Sequence, residues 1–320
     1  MKDVIITGAT GMIGSAVTKI MLEKGINVTA IVRPMSENLE YLEELVETDE
    51  KRIENSEYGV LRLFDCELSE LRTLRDKLGW EHDAFFHFGW SHTFGPGRNN
   101  VSKQEVNIKA TIDAVHLAYE TGCKTFVGAG TQAEFGIANA KLSDELPKDP
   151  KTGFGIAKLA ACRLSQLECA NLGIRHVWGR ILSCYGPGDN ESTMVMSAIN
   201  AMLRGEKIDF APAEQIWDYI YVDDLAKAFI ALAANGKDQK CYTVGTGESR
   251  PLYDYIYAIR DAIDPNMETG IEDRDYKNEN MTILEADITD LVADTGFVPE
   301  ISFEDGIKRT VEWVKKHKTY

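Results

Sequence analysis

Three glycines near the start of the chain recur at three-residue spacing, in the stretch Thr7-Gly-Ala-Thr-Gly-Met-Ile-Gly14. Glycine allows the backbone to approach a pyrophosphate closely, and the first turn of a helix offers free N–H groups with a partial positive charge. The spacing therefore indicates a binding site for the diphosphate of a dinucleotide. The residues expected to contact the cofactor here are Gly8, Thr10, Gly11, Met12, Ile13 and Gly14.

The elements on either side of these glycines are the ones that such a site requires. The β-branched run Val4-Ile5-Ile6 predicts a short, buried, parallel strand. After Gly14, apolar residues follow at helical spacing as far as Leu22. The order of strand, glycine turn and helix favours a ligand-binding turn over a tight turn that binds nothing.

The end of the second predicted strand, residues 27–32, carries a basic residue. An acidic side chain at this point hydrogen-bonds the adenosine ribose, whereas a basic one accommodates the 2′-phosphate of NADP(H). The strand runs into Arg33, and Ser36 is a second donor three residues later. We therefore predict that NADP(H) is preferred and that NAD(H) is the alternative. The simpler interpretation of Arg33 is an exposed arginine in a loop.

The composition disfavours several classes of partner. The 320 residues are 44% hydrophobic, enough for a substantial core, and the formal net charge is −16. This charge disfavours a nucleic-acid partner, and no apolar run approaches the roughly 18 residues that span a bilayer. Six scattered cysteines without a Cys-x-x-Cys pair are typical of reduced, mostly buried thiols. We expect a cytoplasmic protein with no nucleic-acid or membrane partner.

Three further stretches resemble one known family: Thr131-Gln-Ala-Glu-Phe-Gly136, the helix that carries Lys158, and the turn Tyr185-Gly-Pro-Gly188. With the glycine motif, they resemble the extended branch of the short-chain dehydrogenase/reductase superfamily, which acts on nucleotide-linked sugars. The resemblance covers almost the whole chain. It implies an α/β fold with a doubly wound parallel sheet (Rossmann) and a smaller α/β C-terminal domain that binds substrate.

The resemblance also implies where the domains divide and what else holds the cofactor. Residues 1–182, with about 211–245, would form the dinucleotide-binding domain, and about 183–210 and 246–320 an interleaved nucleotide-sugar-binding domain. The end of the third strand is expected at the adenine, the turn after the fourth beside the ribose and pyrophosphate, and the sixth strand at the nicotinamide. The residues assigned in this way are Asp65, Cys66, Phe88, Gly89, Trp90, Lys158 and Ile181.

The catalytic motif departs from the family at one position. Family members carry Tyr-x-x-x-Lys at a helix start, where the tyrosine exchanges a proton with the substrate oxygen and the lysine lowers the tyrosine pKa. This chain has Phe154 followed by Lys158, so the phenol is absent. The resemblance assigns to Thr131 a hydrogen bond to the reacting oxygen, which leaves Thr131 and Lys158 as the predicted catalytic residues. His87 is interpreted as a buried core residue rather than as a base.

Three explanations of Phe154 stay open. One is a substitution for tyrosine that preserves binding and removes the proton. Another is natural divergence, with the proton supplied by Thr131, a water or the substrate. The third is a protein that binds cofactor and ligand without turnover. Under the first explanation, Phe154→Tyr raises the rate by about 10² to 10⁴, the usual contribution of general acid catalysis.

On the substrate side, two residues depart from the family pattern. Ser183 stands where asparagine is common, and Trp217 replaces an arginine, which puts one phosphate contact in doubt. The substrate nucleotide is CDP, dTDP, GDP or UDP, and the sequence does not choose among them. The residues that the resemblance assigns to the substrate are Thr131, Gln132, Ser183, Met194 and Trp217.

Within the family, the sequence favours an NADP(H)-dependent reductase of a 4-keto-deoxysugar. A 4,6-dehydratase needs an acid–base pair after the hydroxyl residue, where this chain has Gln132 and Ala133. A 4-epimerase usually holds NAD through an acidic strand end, where this chain has Arg33, but it remains an alternative. A non-catalytic protein that binds a dinucleotide or a nucleotide sugar is the alternative outside the enzymes.

Two expectations concern metal binding and assembly. Asp218, Asp223 and Asp224 lack further ligands at suitable spacing, so capping of a helix by Asp223 or Asp224 is the simpler prediction and no metal is expected. Helices near 101–121 and 154–172 carry apolar residues beyond one stripe, and family members pair these helices in an isologous four-helix bundle. We therefore predict a homodimer. The apolar residues are Ile108, Ile112, Val115, Leu117, Leu159, Leu164 and Leu167.

Overall fold

The computed structural model describes residues 1–36, 38–40, 42–43, 58–79, 81–138, 140–206, 209–210, 213–271 and 283–317. Leucines at 39, 42 and 45 with Val46 predict a surface helix within residues 37–57. Apart from 38–40 and 42–43, that segment lies outside the described residues. In the part of the chain that is described, no helix has the length and apolar character needed to cross a membrane.

Seven parallel strands form the central sheet: β1 (Asp3–Thr7), β2 (Asn27–Val32), β3 (Leu61–Asp65), β4 (Ala84–His87), β5 (Thr125–Thr131), β6 (Arg175–Ile181) and β11 (Lys240–Val244). Their order across the sheet is β11-β6-β5-β4-β1-β2-β3. The chain therefore winds outwards in one direction from β1 to β3 and in the other from β4. The gap between β1 and β4 is the switch point, beyond whose carboxyl ends open α/β sheets bind their ligands.

Helices cover both faces of this sheet: α1 (Met12–Glu23), α2 (Arg75–Leu78), α3 (Val101–Glu120), α4 (Gly153–Leu172), α5 (Met194–Leu203), α6 (Val222–Asn235), α7 (Leu252–Ile263), α8 (Thr289–Thr295) and α9 (Phe303–His317). Successive strand side chains alternate between faces, so Val4 packs into the core beneath α1 and α6, whereas Ile5 packs into the core beneath α3 and α4. The predicted doubly wound parallel sheet is confirmed. All six cysteines are free, and all but Cys184 are buried.

The segment after β3 forms a 3-10 helix. The sequence predicts a helix from Ser69 to Leu78, and residues Leu68–Leu74 form a 3-10 helix that continues into the single turn of α2. Leu71 and Leu74 are both buried. A 3-10 helix has three residues per turn, so this i, i+3 pair lies on one side of it. The apolar spacing therefore fits the tighter helix.

The rest of the chain forms a smaller α/β part beside the carboxyl edge of the sheet. Its strands are β7 (Ser183–Tyr185), β8 (Asp209–Phe210), β9 (Ile216–Trp217), β10 (Tyr219–Tyr221), β12 (Arg250–Pro251), β13 (Gly270–Ile271) and β14 (Ile283–Leu284). They pair as β7 with β10, β12-β9-β14, and β8 with β13. Ile199 of α5, Ile256 of α7 and Ile307 of α9 belong to the same buried cluster as α1. The smaller part therefore shares the core of the large sheet, while its exact boundaries stay a prediction.

Asp224 ties a distant segment to α6 instead of capping that helix. The N-cap of α6 is Tyr221, so the predicted capping by Asp223 or Asp224 is wrong. The Asp224 carboxylate accepts hydrogen bonds from the backbone N–H groups of residues 300 and 301, at 2.8 and 2.7 Å. This carboxylate is fully buried, and it fixes the chain immediately before α9.

Asp218, which follows β9, holds the segments after β11 and after β14 in place. Its carboxylate accepts hydrogen bonds from the N–H of Thr246 at 2.9 Å, the N–H of Gly247 at 3.0 Å and the N–H of Ala286 at 3.3 Å. Backbone donors occupy its oxygens, so Asp218 serves the fold. Across the described residues, no cluster of three or more His, Cys, Asp or Glu side chains could hold a metal ion.

Only some of the apolar residues that were predicted to lie outside the core-facing stripes of α3 and α4 are exposed. Val115 and Leu117 are completely buried in the core of their own chain, so their assignment to a second face was wrong. The reason is that α3 packs against both the sheet and α4, which widens its buried stripe. Leu164 and Leu167 of α4 remain 47% and 61% exposed. The homodimer stays a prediction.

Candidate active site

A cleft of about 1010 Å³ opens at the carboxyl edge of the sheet, between the glycine turn and the smaller part. The predicted site residues that line it are Gly8, Gly11, Met12, Ile13, Gly14, Phe88, Trp90, Thr131, Gln132, Lys158, Ile181 and Ser183. The predicted site residues outside its lining are Thr10, Arg33, Ser36, Asp65, Cys66, Gly89, Met194 and Trp217. Residues from distant parts of the sequence thus meet at the switch point of the sheet.

The glycine turn brings the backbones of β1, α1 and the segment after β4 into close contact. Gly8 has a φ of 71°, and a Cβ on it would lie 2.7 Å from the backbone nitrogen of Gly89. A Cβ on Gly14 would overlap the carbonyl oxygen of Gly8. The N-cap of α1 is Gly11, which has no side chain to accept hydrogen bonds from the first turn. This cradle of bare backbone at a helix N-terminus fits a dinucleotide diphosphate.

The residues predicted for the adenosine end lie next to the glycine turn, at the ends of β2 and β3. Arg33 is exposed. The Ser36 hydroxyl donates a hydrogen bond to Thr10 Oγ1 at 3.0 Å, which joins the loop after β2 to the turn. Asp65 pairs with the last residue of β2 in the sheet, immediately before Arg33. Cys66, which follows Asp65, is buried.

Lys158 is buried where α4 meets the end of β5. Its Nζ donates a hydrogen bond to the carbonyl oxygen of Ala129 at 2.7 Å and lies 3.9 Å from the centroid of the Trp90 ring. Burial disfavours the charged amine and lowers the pKa of Lys158 to about 7, although the charge of Glu134 opposes the shift. A lysine that titrates near neutrality can both donate to hydroxyl groups and exchange a proton.

Phe154 lies one helical turn before Lys158, at the start of α4. The N-cap Thr152 fixes this start, because its hydroxyl oxygen accepts a hydrogen bond from the N–H three residues on at 3.1 Å. The Phe154 ring is 5% exposed and meets the Trp90 ring edge-on, with 6.0 Å between centroids. The guanidinium carbon of Arg98 lies 4.3 Å from the Phe154 centroid. The aromatic shape of the motif is therefore present and the acidic hydroxyl is not.

Thr131 is held at the end of β5 by a capping box. Its hydroxyl oxygen accepts a hydrogen bond from the N–H of Ala133 at 3.3 Å, and Glu134 Oε1 accepts one from the Thr131 N–H at 2.9 Å. Ala129, the partner of Lys158, lies two residues earlier on the same strand. The strand thereby brings Thr131 and Lys158 to the same end of the cleft.

Sequence analysis missed the buried ion pair behind Thr131. Glu134 and Arg180 are both fully buried, with Arg180 Nε 2.7 Å from Glu134 Oε2. Trp178 Nε1 donates to Glu134 Oε1 at 3.1 Å, and Arg180 also pairs with Asp144. The Thr-x-x-Glu spacing is a capping-box signature that could have indicated Glu134. No local signal marks Arg180 as its partner, because the two residues are 46 positions apart.

Ser183 and Trp217, both predicted substrate contacts, hydrogen-bond each other. Trp217 Nε1 donates to Ser183 Oγ at 2.7 Å, and only Ser183 lines the cleft. Met194 begins α5 outside the lining, whereas the N-cap of that helix, Thr193, lies within it. The structure thus places Ser183 in the cleft and Trp217 and Met194 behind it.

His87 is a core residue, as predicted. Its Nδ1 lies 2.8 Å from Thr7 Oγ1 and its Nε2 lies 3.2 Å from Thr111 Oγ1. Burial, assisted by the charge of Lys158, lowers the pKa of His87 to about 3. A neutral imidazole with both nitrogens partnered joins β4 to β1 and α3, and it has no free site for a proton from the substrate.

Comparison with known proteins decides the family. Residues 4–245 match the model of the NAD dependent epimerase/dehydratase family. The chain belongs to this family. The predicted resemblance to extended short-chain dehydrogenases/reductases is thereby confirmed, and with it membership of a family of nicotinamide-dependent enzymes that modify nucleotide-linked sugars.

Individual members of the epimerase/dehydratase family match over nearly their whole length. The dTDP-4-dehydro-6-deoxyglucose reductase of Escherichia coli is 24% identical over 98% of each chain. A UDP-N-acetylglucosamine 4-epimerase from Methanobrevibacter ruminantium, solved with UDP-N-acetylmuramic acid, superimposes with a TM-score of 0.83 at 22% identity, covering 99% of this chain and 100% of that one. RMD from Pseudomonas aeruginosa, complexed with NADPH, superimposes with a TM-score of 0.76 at 18% identity, covering 99% and 100%.

Among the charged residues of this epimerase/dehydratase cleft that were not singled out from the sequence are Arg98 and Asp189. Arg98 lines the cleft beside Phe154. Asp189 also lines it, and its carboxylate accepts hydrogen bonds from Thr193 Oγ1 at 2.9 Å and from the Asn190 N–H at 2.7 Å. Burial raises the pKa of Asp189 to about 6. Both residues follow glycine- and proline-rich turns, whose paths the local sequence does not determine.

Proposed function

We propose that the protein is an NADP(H)-dependent reductase of a nucleotide-linked 4-keto-deoxysugar. The observation that carries the proposal is the meeting of Thr131 and Lys158 with the glycine turn in a single cleft. This arrangement puts a hydroxyl donor and a titratable amine beside a dinucleotide cradle. The similarity to the dTDP-4-dehydro-6-deoxyglucose reductase supports the same class of reaction.

The residues after Thr131 support reduction over dehydration. A dehydratase requires a free acid and base on the substrate, and the first two residues after Thr131 are Gln132 and Ala133. The next residue, Glu134, is fully buried and paired with Arg180 at 2.7 Å. Its carboxylate therefore serves the fold and does not face the substrate.

The preference for NADP(H) rests on the end of β2. Arg33 is exposed there, and no ion pair links it to a described carboxylate, so its guanidinium is available to a 2′-phosphate. Ser36, joined to the glycine turn through Thr10, is a second donor. Similar structures were solved with NADPH or with NAD, and NAD(H) is the alternative cofactor.

When bound in the cleft, NADPH would supply the hydride of the proposed reaction. Thr131 donates a hydrogen bond to the keto oxygen, where negative charge develops as the carbonyl is reduced. Because Phe154 carries no hydroxyl, the proton for this oxygen comes from Lys158, passed through the Thr131 hydroxyl or a water. The pKa of Lys158, near 7, suits such a transfer at neutral pH.

The absence of a hydroxyl at Phe154 also supports a second candidate: a protein that binds a dinucleotide and a nucleotide sugar without turnover. The contacts of Lys158 and the glycine turn do not require the phenol, so binding would be retained. An epimerase of the same family is the enzymatic alternative. It would interconvert sugar epimers without net consumption of NADPH.

Oxidation of NADPH with dTDP-4-keto-6-deoxyglucose and its CDP, GDP and UDP counterparts tests the proposal. We expect stoichiometric oxidation by the wild type and its loss in Lys158→Met. Oxidation-free interconversion of the sugars would indicate the epimerase. If Phe154→Tyr gains about 10² to 10⁴ in rate, the phenylalanine is a substitution that removed the proton donor. If wild type and Phe154→Tyr both bind the ligands and are inert with every sugar, the binding protein is supported.

A further inference from the structure

A nucleotide-linked sugar brings at least two negative charges into a cleft whose own chain carries −16. Position 217, where the family pattern has an arginine, holds a tryptophan whose Nε1 donates to Ser183. Trp217 lies outside the cleft lining. If the substrate is the proposed nucleotide sugar, as this inference assumes, a cation that lines the cleft would stabilise its anionic oxygens.

Among the described residues that line the cleft, the cations are Arg98 and Lys158. The Nζ of Lys158 is buried and already donates to the carbonyl oxygen of Ala129 at 2.7 Å. Lys158 is also committed to the proton in the proposed reaction. Arg98 is therefore the cation of this lining that is available for an anion.

The surroundings of Arg98 leave its charge without an opposite charge. Its Nη1 donates to the carbonyl oxygen of Thr93 at 2.7 Å, and its guanidinium stacks on Phe154 at 4.3 Å. Within the described part of the chain, no carboxylate forms an ion pair with it. Burial accordingly lowers the pKa of Arg98 from its usual value. An anion in the cleft would offset this loss of water.

The turn that carries Arg98 is built to hold it in place. Residues Pro96–Asn99 form a short 3-10 turn. The buried Gln104 side chain donates to the carbonyl oxygens of His92 and Gly97, both at 3.1 Å. Asn99 Oδ1 accepts a hydrogen bond from the N–H of Gly153 at 2.9 Å, which fastens the turn to the start of α4. The guanidinium is thereby presented at Phe154, the position that holds the proton-exchanging tyrosine in the family pattern.

We infer that Arg98 binds anionic oxygens of the substrate, in place of the arginine absent at position 217. The planar guanidinium offers paired N–H donors that match two oxygens of one phosphate or one carboxylate. Two parts of a nucleotide sugar carry such oxygens. One is the diphosphate, common to all of them, and the other is a carboxylate on the sugar of a nucleotide-linked sugar acid.

The test is calorimetric binding to the protein saturated with NADPH, using ligand pairs that differ only at C6 of the sugar. The pairs are UDP-glucose with UDP-glucuronate and GDP-mannose with GDP-mannuronate. The variants are Arg98→Gln, Arg98→Lys and, as a control of equal charge change, Arg163→Gln on the exposed side of α4. Charge-assisted hydrogen bonds predict that Arg98→Gln weakens binding by about ten-fold or more, that Arg98→Lys retains part of the affinity, and that Arg163→Gln matches the wild type.

Each outcome decides a different point. If Arg98→Gln weakens the binding of both members of a pair equally, the guanidinium contacts the diphosphate. If it weakens the binding of the acidic member alone, the guanidinium contacts a sugar carboxylate. Unchanged affinity for both members overturns the inference and leaves the proposed function standing. A fall in NADPH affinity instead overturns it in favour of a cofactor contact. If the wild type with NADPH binds neither pair nor the CDP and dTDP sugars, the proposed function fails and the inference fails with it.

Discussion

At the scale of single residues, Lys158 shows how folding changes the chemistry of a side chain. The helix that carries it places the amine against Trp90 and the end of β5, away from solvent. The charged form loses hydration there, which brings its pKa to about 7. In sequence, the residue is only a lysine one helical turn after Phe154. The lowered pKa of Lys158 arises only in the folded protein, where the amine is buried.

The first prediction at this scale is the pH dependence of the proposed reduction. The reaction needs a proton, so the protonated form of Lys158 is the active one. Because its pKa is about 7, kcat/KM with NADPH should be constant below that pH and fall as the pH rises through it. Asp189, with a pKa of about 6, also lines the cleft and titrates near this pH. Asp189→Asn is therefore the control and should keep the fall near pH 7. A profile that stays level through pH 7 would contradict the role of Lys158.

The second prediction concerns the cofactor. A charge-assisted contact to the 2′-phosphate contributes about 1.5 to 3 kcal/mol, so wild type should bind NADPH roughly ten-fold or more tightly than NADH. Arg33→Asp should remove this preference, because it replaces the guanidinium by a charge that repels the phosphate. Titration of both cofactors measures the effect, with Arg163→Asp as the matched control. Equal affinities of the wild type for the two cofactors would refute the assignment.

At the scale of elements, the turn after β5 depends on the Glu134–Arg180 pair. Glu134 closes the capping box on Thr131 and neutralises a fully buried guanidinium. Removal of one partner from a buried pair costs about 3 to 5 kcal/mol, and here Asp144 stays paired with Arg180 and offsets part of that cost. The position of Thr131 in the cleft therefore depends on two residues that do not line it.

Glu134→Gln should consequently lower the free energy of unfolding by about 1.5 to 3 kcal/mol, the usual contribution of a hydrogen bond to a charged group. Urea unfolding measures the change, and Glu145→Gln, an exposed acid nearby, is the control with the same chemical substitution. A surface acid should change stability by less than about 0.5 kcal/mol. If both variants unfold at the same urea concentration, the pair contributes no more than a surface charge.

The elements around β1 and α1 could be predicted because their signals are local. The run Val4-Ile5-Ile6, the glycines and the helical spacing lie within twenty-odd residues of one another. The capping by Asp223 or Asp224 was predicted wrongly because the donors to Asp224 arrive from residues 300–301. Arg98 and Asp189 were missed because both follow glycine- and proline-rich turns, whose paths the local sequence does not determine.

At the scale of the whole molecule, the exposed apolar residues of α3 and α4 support a symmetric pair of chains. Tyr119 of α3 and Ile156, Leu164 and Leu167 of α4 are between 47% and 61% exposed. Leu167→Asp should convert the predicted homodimer into a monomer. In an isologous contact both protomers present the same residue, so the variant would bring two negative charges into the interface. Mass measurement in solution at micromolar concentration tests this. Val298→Asp, at an equally exposed residue outside these helices, should leave the mass unchanged, and a monomeric wild type would contradict the prediction.

The backbone partners of Asp218 and Asp224 set an order on how the protein is completed during its synthesis. The seven-stranded sheet has all its strands once Val244 has been made. At that moment, the N–H of Ala286 has not yet been synthesised, nor have those of residues 300 and 301. The carboxylates of Asp218 and Asp224 therefore lack these backbone donors at the point when the strands of the sheet are complete. During synthesis, these contacts can therefore form only after residues 286 and 300–301 have been added.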